Sequence, residues 1–316
     1  MTAQHVTRLA PSPTGALHLG NARTFLVNYL LARQRSWRVR MRVEDLDGPR
    51  VKPQWAGRML DELRWLGMDW EEPVVLQSRR GAVYRQALER LIRMGAAYPC
   101  VCSRKDVELA GGAPHDDDAT GVYPNLCRGR FASLEEAAAT GRPVAWRVRT
   151  DDAEITVLDR FAGRRDFNLK RVCGDFVVFK NDSLAAYQLA VVVDDAEAGV
   201  DCIVRGDDLL DSAARQIHLR RLLGLGPEPA YWHLPLVVGP DGRRLAKRHG
   251  DTRLEHYRRL GAPPQRVLGV LAYWSGILDR RREASLEELI PLFDPARMPH
   301  TPTVFTKADD DFLLGR

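Results

Sequence analysis

Three features that would narrow the function of a chain are missing from this sequence. No apolar run is long enough to span a membrane. The first residues, MTAQHVTRLA, lack the basic segment and the apolar core of a secretory signal. The five cysteines among 316 residues are odd in number and unevenly spaced, which argues against a disulfide framework. These absences predict a cytoplasmic protein that makes no membrane contact.

The excess of positive over negative charge is also small. The chain has 47 Lys and Arg against 42 Asp and Glu, which gives a net charge of +5 and an isoelectric point near 9.0. This excess suits a polyanionic partner such as nucleic acid, yet it is also common in soluble enzymes, so charge alone leaves nucleic-acid binding open. A hydrophobic content of 45% predicts a sizeable core, divided into two or three units.

The stretch RLAPSPTGALHLGN, residues 8–21, indicates a strand, a turn and the start of a helix. An apolar run precedes two prolines that force extended backbone, and a glycine then opens the turn. Alternation along extended backbone places Arg8, Ala10 and Ser12 on one side of the chain.

His18 and Asn21 lie three positions apart at the start of the predicted helix, so their side chains share a face. Gly20 between them leaves room for a close approach. The amides of the first helical turn would then face an anion such as a triphosphate. The alternative is a strand–turn–helix corner with an incidental histidine.

Acidic residues follow the second predicted strand, residues 39–43. The carboxyl ends of strands in an open parallel sheet border the ligand crevice, so Glu44, Asp45 and Asp47 of RVEDLD are expected to meet a substrate amine or a ribose. For Asp47, an acidic loop neutralised by Arg42 and Arg50 remains an alternative.

Three cysteines are close enough in sequence to share a metal ion. Cys100 and Cys102 can turn toward one ion in a tight knuckle, and Cys127 would supply a third thiolate. A tetrahedral site then has a fourth position, for which Tyr123 and His115 are both candidates.

Two basic residues in the second half are candidates for binding anions. Arg205 ends an otherwise apolar predicted strand, DCIVRG, and a buried charge there needs either solvent or an anionic ligand. Lys247 lies in the basic segment PDGRRLAKRHGD, where it could neutralise charge that develops on phosphates. A solvated basic loop is the alternative for Lys247.

Four motifs, in this order, resemble those of class I aminoacyl-tRNA synthetases in their glutamyl form: RLAPSPTGALHLGN, RVEDLD, YQLAVVVDD at 187–195 and LAKRH at 245–249. The resemblance implies ATP-binding and catalytic residues His18, Gly20, Asn21 and Lys247. It implies glutamate-binding residues Arg8, Ala10, Ser12, Glu44, Tyr187 and Arg205. A guanidinium can grip the side-chain carboxylate with two hydrogen bonds, which would select glutamate over glutamine.

The chain also resembles the shortened group of this family, the glutamyl-queuosine tRNA(Asp) synthetases. For a chain of this length we expect no helical anticodon-binding portion, and Val191 occupies a place that is usually asparagine in full-length enzymes. The C-x-C pattern with a later Y-x3-C is similar too, and implies one structural zinc ion held by Cys100, Cys102, Tyr123 and Cys127.

The implied enzyme is a monomeric ligase with a two-step reaction. Glutamate and ATP, with Mg²⁺, give glutamyl adenylate, and the glutamyl group then passes to the queuosine base in the anticodon of tRNA(Asp). Three other functions stay open: a truncated glutamyl-tRNA synthetase that charges a tRNA 3′ end, a nucleotidyltransferase for a small acid, and an inactive tRNA-binding paralogue. Asn21 and Ala246 depart from the general HIGH and KMSKS motifs, so the activation rate is not predicted.

The expected fold is α/β: a doubly wound, Rossmann-type parallel sheet, split by a zinc-bearing insertion and followed by a short helical region. The expected units are residues 1–97 and 175–250 for the two halves of the catalytic domain, 98–174 for the insertion, and 251–316 for the helical region. A strand near 175–180 is expected to resume the parallel pattern, and the chain after Pro299 is expected to be weakly structured.

Overall fold

A computed structural model describes residues 4–46, 53–111, 122–180, 184–243, 245 and 250–316. Asp47, His115, Ala246 and Lys247 lie outside the described residues. None of the helices in these ranges combines the length and the apolar character that crossing a membrane requires.

The strands are numbered in chain order: β1 Val6–Leu9, β2 Arg38–Val43, β3 Glu71–Leu76, β4 Ala97–Cys100, β5 Ala145–Val148, β6 Glu154–Asp159, β7 Gly163–Asn168, β8 Phe176–Phe179, β9 Cys202–Gly206, β10 Ala230–Leu234, β11 Val237–Val238 and β12 Thr303–Val304. The helices are α1 Leu19–Gln34, α2 Pro53–Trp65, α3 Gly81–Arg93, α4 Arg104–Gly111, α5 Leu134–Ala138, α6 Leu169–Val172, α7 Tyr187–Glu197, α8 Leu210–Leu223, α9 Leu254–Arg259, α10 Pro264–Trp274, α11 Leu286–Leu292 and α12 Lys307–Leu314.

Two sheets meet at β1 and β9. The first has the order β1–β2–β3 and is parallel throughout. The second has the order β7–β6–β10–β9, in which β6, β10 and β9 are parallel and β7 is antiparallel to β6. The Asp201 amide donates a 3.1 Å hydrogen bond to the Val6 carbonyl, so β9 begins beside β1. From β1 the chain continues to β2 on one side of this junction, and from β9 it continues to β10 on the other side. Such a point, where the strand order reverses, is where α/β sheets bind ligands.

Helices cover both faces of these sheets. In β9, Cys202 and Val204 pack into the core that contains α1 and α10, whereas Ile203 packs into the core that contains α7 and α8. Because neighbouring residues of a strand point to opposite faces, each face of β9 is buried. The expected α/β fold with parallel sheets is confirmed.

The predicted insertion, 98–174, does not form a sheet of its own. The expectation that residues near 175–180 resume the parallel pattern is wrong, because β8 pairs antiparallel with β5 in a sheet of order β4–β5–β8. Conversely, β6 belongs to residues 98–174 in the sequence, but it pairs in parallel with β10 in the sheet β7–β6–β10–β9. An apolar run such as FVVF predicts a buried strand without indicating its partner.

The expectation of a weakly structured end after Pro299 is also wrong. In the described structure β12 pairs parallel with β11, and α12 begins at a capping box in which the side chains of Thr306 and Asp309 each accept from the other's backbone. Leu313 of α12 is fully buried, and the Trp274 indole donates to the Asp309 carboxylate at 3.2 Å. The charged sequence KADDD does not predict a helix from its pattern. The helix is stabilised by its capping box and by the packing of α12 against the core.

Candidate functional site

A cleft of about 610 Å³ opens at the carboxyl ends of β1, β2 and β9. It is lined by nine of the ten residues predicted for ATP and glutamate: Arg8, Ala10, Ser12, His18, Gly20, Asn21, Glu44, Tyr187 and Arg205. The tenth, Lys247, lies outside the described residues. Residues from four separate stretches of sequence therefore meet at the expected edge of the sheet.

Glu44 is held at the cleft by two groups. It is 9% exposed, and its carboxylate accepts from the Arg42 guanidinium at 3.0 Å and from the Ser12 hydroxyl at 3.3 Å. Arg42 is buried and also donates to Asp195 on α7. Burial acts to lower the pKa of Arg42, but Asp195 and Glu44 outweigh it and raise that pKa. The Arg42 partner of Glu44 is therefore itself held in place by Asp195.

Arg8 lies beneath the cleft with its charge incompletely paired. It is 5% exposed, its Nη1 atom donates to the Val204 carbonyl at 3.3 Å, and its Nε atom lies 3.5 Å from Asp195. The Nε–H makes no hydrogen bond within the described part of the chain. Burial lowers the pKa of Arg8 despite the opposing charge of Asp195. A buried guanidinium of this kind favours an anion beside it.

Arg205 is held from three directions. Its Nε atom donates to His233 Nε2 at 2.9 Å, Nη1 donates to Gln216 Oε1 at 2.8 Å, and Nη2 donates to the Leu209 carbonyl at 3.2 Å. Arg205 is 5% exposed, and none of these partners carries a carboxylate. A guanidinium has five N–H donors, so one N–H remains on each terminal nitrogen. These two donors suit a carboxylate that binds with both oxygens.

Tyr187 is the first residue of α7 and lines the same cleft. Burial, and secondarily the charge of Glu44, raises the pKa of Tyr187. The phenol therefore stays neutral at physiological pH and can donate one hydrogen bond to a ligand.

The turn that starts α1 is closed by His18. This residue is the N-cap of α1, and its Nδ1 atom accepts from the Asn21 amide at 3.4 Å. A Cβ atom on Gly20 would lie 3.2 Å from the His18 ring. The space that Gly20 leaves, which the sequence predicts to admit a ligand, thus accommodates the histidine itself.

Backbone hydrogen bonds join this turn to the chain that follows residues 246–249. The Leu19 amide donates to the Thr252 carbonyl at 2.9 Å, and the Leu254 amide donates to the Leu17 carbonyl at 2.8 Å. The buried Glu62 carboxylate accepts from the Leu17 amide at 3.4 Å. These hydrogen bonds therefore connect the His18 turn to the residues that directly follow the predicted Lys247 segment.

The predicted metal ligands also come together. The thiols of Cys100, Cys102 and Cys127 lie within 4.8 Å of one another. The Tyr123 hydroxyl lies 3.3 Å from the sulfur of Cys100 and 3.5 Å from that of Cys102. The Arg147 guanidinium covers the Tyr123 ring at 3.6 Å from its centroid and donates to Cys100 at 3.3 Å. Four donor atoms and a nearby cation form a cluster, buried except at the half-buried Cys102, that could hold a metal ion.

Comparison with known proteins identifies the family. The family described as "tRNA synthetases class I (E and Q), catalytic domain" matches residues 4–309. The chain is 43% identical over 333 residues to a glutamyl-Q tRNA(Asp) synthetase of Rhodopirellula baltica, across 99% of this chain and 98% of that one. The chain belongs to the glutamyl-Q tRNA(Asp) synthetase family of class I enzymes. A relative from Symbiobacterium thermophilum with the same name is 48% identical over 306 residues, across 93% of this chain and 94% of that one.

A solved structure supports the same placement. A glutamate tRNA ligase from Elizabethkingia meningosepticum, in complex with its amino acid, superposes with a TM-score of 0.82 and 25% identity. The match covers 98% of this chain and 69% of that one. The α/β architecture of this glutamyl-Q tRNA(Asp) synthetase family member is therefore shared with a glutamate tRNA ligase whose structure contains its amino acid.

Two groups in the cleft region were missed by reasoning from the sequence. Asp195 holds both Arg8 and Arg42, although the sequence suggested Arg42 only as a neutralising charge for an acidic loop. His233, which holds Arg205, was not singled out at all. A signal for each was present: buried arginines need acceptors, and a histidine inside the apolar strand AYWHL needs a polar partner.

Proposed function

We propose that this protein activates glutamate with ATP and transfers the glutamyl group to the queuosine base of tRNA(Asp). The observation that carries the proposal is the pairing, in one cleft, of Glu44 with Arg205. Glu44 offers a carboxylate to the substrate ammonium, and Arg205 offers two N–H donors to the side-chain carboxylate. A glutamate molecule satisfies both ends of this arrangement, with its ammonium group at Glu44 and its side-chain carboxylate at Arg205.

ATP would lie at the start of α1. The first-turn amides of a helix attract phosphate oxygens, and the His18 ring stands at that end. A ring that accepts a hydrogen bond at Nδ1 carries its proton on Nε2, where it can donate to a phosphate oxygen. We assign Lys247, on the adjoining segment, to the same charge-neutralising role.

The reaction then needs no base from the protein. One oxygen of the substrate α-carboxylate attacks the α-phosphate, and pyrophosphate leaves with the bonding electron pair. A hydroxyl of the queuosine base next attacks the activated carbonyl, AMP leaves with the bonding electron pair, and its phosphate accepts the hydroxyl proton. His18 and Lys247 stabilise charge on the phosphate, while Arg8, Glu44, Tyr187 and Arg205 hold the amino acid. This electrostatic and orienting work matches what such sites contribute to rate.

An anticodon stem-loop assay tests the acceptor. We expect labelled glutamate to be transferred to an isolated tRNA(Asp) anticodon stem-loop that contains queuosine, and not to the same stem-loop with guanine. Full-length queuosine-containing tRNA(Asp) without its 3′-terminal adenosine should react as well as intact tRNA. If removing that adenosine abolishes the reaction, the chain is instead a truncated glutamyl-tRNA synthetase that charges the 3′ end.

We also propose one structural zinc ion at Cys100, Cys102, Tyr123 and Cys127. Three thiols and one phenol oxygen supply four ligands, so no coordination position is left for a catalytic water. Metal analysis of the purified protein should give one zinc per chain, and Cys127→Ser should lose it. Cys173→Ser is the control, because Cys173 is a free thiol that belongs to no group of potential metal ligands among the described residues. Stoichiometric zinc in the Cys127→Ser protein would contradict this ligand set.

A further inference from the structure

A fully buried chain of hydrogen bonds stands behind Arg205. His233 on β10 lies directly opposite Arg205 on β9 in the parallel register, and its Nε2 atom accepts from Arg205 Nε at 2.9 Å. On its other side, His233 Nδ1 lies 2.6 Å from Asp159 Oδ2 at the end of β6. The side chains of His233 and Asp159 have no solvent exposure. Three neighbouring strands thus contribute one residue each to a single chain.

The chemistry of its two ends fixes the proton of the middle residue. A guanidinium can only donate, so His233 Nε2 must be the bare, accepting nitrogen. The ring proton then lies on Nδ1, where the Asp159 carboxylate accepts it. Burial lowers the pKa of His233 and the Arg205 charge acts in the same direction, and together they outweigh Asp159 and the Leu209 carbonyl, which act to raise that pKa. The ring is therefore neutral, and its tautomer is set by Asp159.

Asp159 is itself anchored as an acceptor. Its Oδ1 atom accepts from the Phe161 and Ala162 amides at 2.8 and 2.6 Å, and its Oδ2 atom accepts from the His233 amide at 3.2 Å. Burial acts to raise the pKa of Asp159, but the hydrogen bonds from His233 and these amides outweigh it and lower that pKa. The carboxylate therefore stays ionised and presents only acceptors to His233.

The consequence appears at the guanidinium. With Nε committed to His233, Nη1 to Gln216 and Nη2 to Leu209, Arg205 keeps one N–H on each terminal nitrogen. If the His233 ring carried its proton on Nε2 instead, two N–H groups would face each other and Arg205 would have to turn away. The orientation of the two remaining donors thus depends on a proton held between His233 Nδ1 and Asp159, whose heavy atoms are 2.6 Å apart.

We propose that Asp159 and His233 are positioning residues for glutamate selection, an inference that rests on the proposed function. Asp159 holds the proton of His233 on Nδ1, and the bare Nε2 atom fixes Arg205 so that two donors remain for the substrate's side-chain carboxylate. Neither residue touches the substrate. Their effect is on glutamate binding and on the discrimination against glutamine, with ATP binding unaffected.

The sharpest perturbation is Asp159→Asn, which exchanges one oxygen for an NH₂ group. The asparagine carbonyl is needed by the Phe161 and Ala162 amides, so the NH₂ group faces His233 and drives its proton to Nε2. In glutamate-dependent ATP–pyrophosphate exchange, the KM for glutamate should rise by about tenfold or more, the value of one charge-assisted hydrogen bond. The KM for ATP should stay at the parent value, and the preference for glutamate over glutamine should fall.

Two comparisons separate positioning from a general loss of structure. Asp166→Asn makes the same chemical change on the exposed neighbouring strand β7, and should leave the glutamate KM within about twofold of the parent. His233→Gln retains a carbonyl acceptor for Arg205 but has no tautomer, so adding Asp159→Asn to it should have little further effect. An equal loss from Asp159→Asn in both backgrounds would show that the effect does not run through the His233 proton.

The unmodified protein supplies a test that does not depend on any variant folding. Nitrogen-15 spectra of labelled histidine should show His233 as a neutral ring with its proton on Nδ1 across the pH range in which the protein is folded. A charged ring, or a proton on Nε2, would overturn the inference. Absence of glutamate-dependent exchange in the parent would instead reject the proposed function, and with it the substrate named here. An unchanged glutamate KM in folded Asp159→Asn would reject the inference alone.

Discussion

Replacing Arg205 by Ala is the most direct perturbation of the candidate glutamate pocket. The guanidinium offers two N–H donors to the substrate, and a hydrogen bond to a charged group contributes about 1.5–3 kcal/mol. Counting the bidentate contact as one such interaction gives a rise of roughly 10- to 150-fold in the glutamate KM. Arg205→Lys should fall between parent and Ala, because it keeps the charge and loses the planar fork.

Stability must be measured alongside, because Arg205 also satisfies buried acceptors. Its removal leaves His233 Nε2 and Gln216 Oε1 without a donor, at a cost of about 1–3 kcal/mol each unless water enters the space. Arg220→Ala is the matched control, since Arg220 is 8% exposed and donates to Pro227 away from the cleft. It should lower the unfolding free energy in urea without changing the glutamate KM. A glutamate KM within about threefold of the parent for Arg205→Ala would refute the assigned role.

Three further outcomes follow from buried or tightly packed groups. Burial raises the pKa of Glu62 from its ordinary 4.5 to about 7, although the hydrogen bond from Leu17 opposes this shift. The folded state therefore binds the Glu62 proton more tightly than the unfolded state does, and the stability that this proton contributes is lost as pH rises through about 7. Glu62→Gln should therefore remove about 1–3 kcal/mol of the fall in unfolding free energy between pH 4.5 and 7, measured by urea titration. Gly20→Ala should press on the His18 ring, because the added methyl group would lie 3.2 Å from it, and should slow pyrophosphate exchange about tenfold with little loss of stability. Thr306→Ala should lower the unfolding free energy by about 1 kcal/mol, with Thr306→Ser restoring it.

The location of the cleft could be predicted because it follows from local rules. Strand ends border the crevice of a parallel sheet, and residues 8–21 carry their own turn and helix start, so Arg8, His18 and Glu44 could be placed together from the sequence. The metal cluster could be predicted for a similar reason, since Cys100 and Cys102 are almost adjacent. Short sequence separation limits the geometry within residues 8–21 and between Cys100 and Cys102, whereas Tyr123 was chosen as a ligand from the family resemblance.

The parts that could not be predicted depend on contacts between distant segments. The partner of β8 is β5 rather than a parallel neighbour, because the apolar pattern of a strand does not encode which edge it joins. Asp159 reaches His233 across 74 positions in the chain. Neither residue belongs to a recognisable sequence motif, and the pairing of β6 with β10 brings them together.

The charges around the cleft explain why a second carboxylate on the substrate would matter. Arg42 lies within ion-pair distance of Glu44, Asp194 and Asp195, and Arg8 lies 3.5 Å from Asp195, so carboxylates offset most of the charge of these two arginines. Arg205 is different, because its three partners in the described structure are neutral and a neutral ring separates it from Asp159. A substrate carboxylate would cancel that charge, whereas the amide of glutamine would leave it unbalanced and bring a second set of N–H donors toward it. Selection for glutamate would then come from Arg205, a buried cation that has no carboxylate among its hydrogen-bond partners in the described structure and that His233 and Asp159 hold in its orientation.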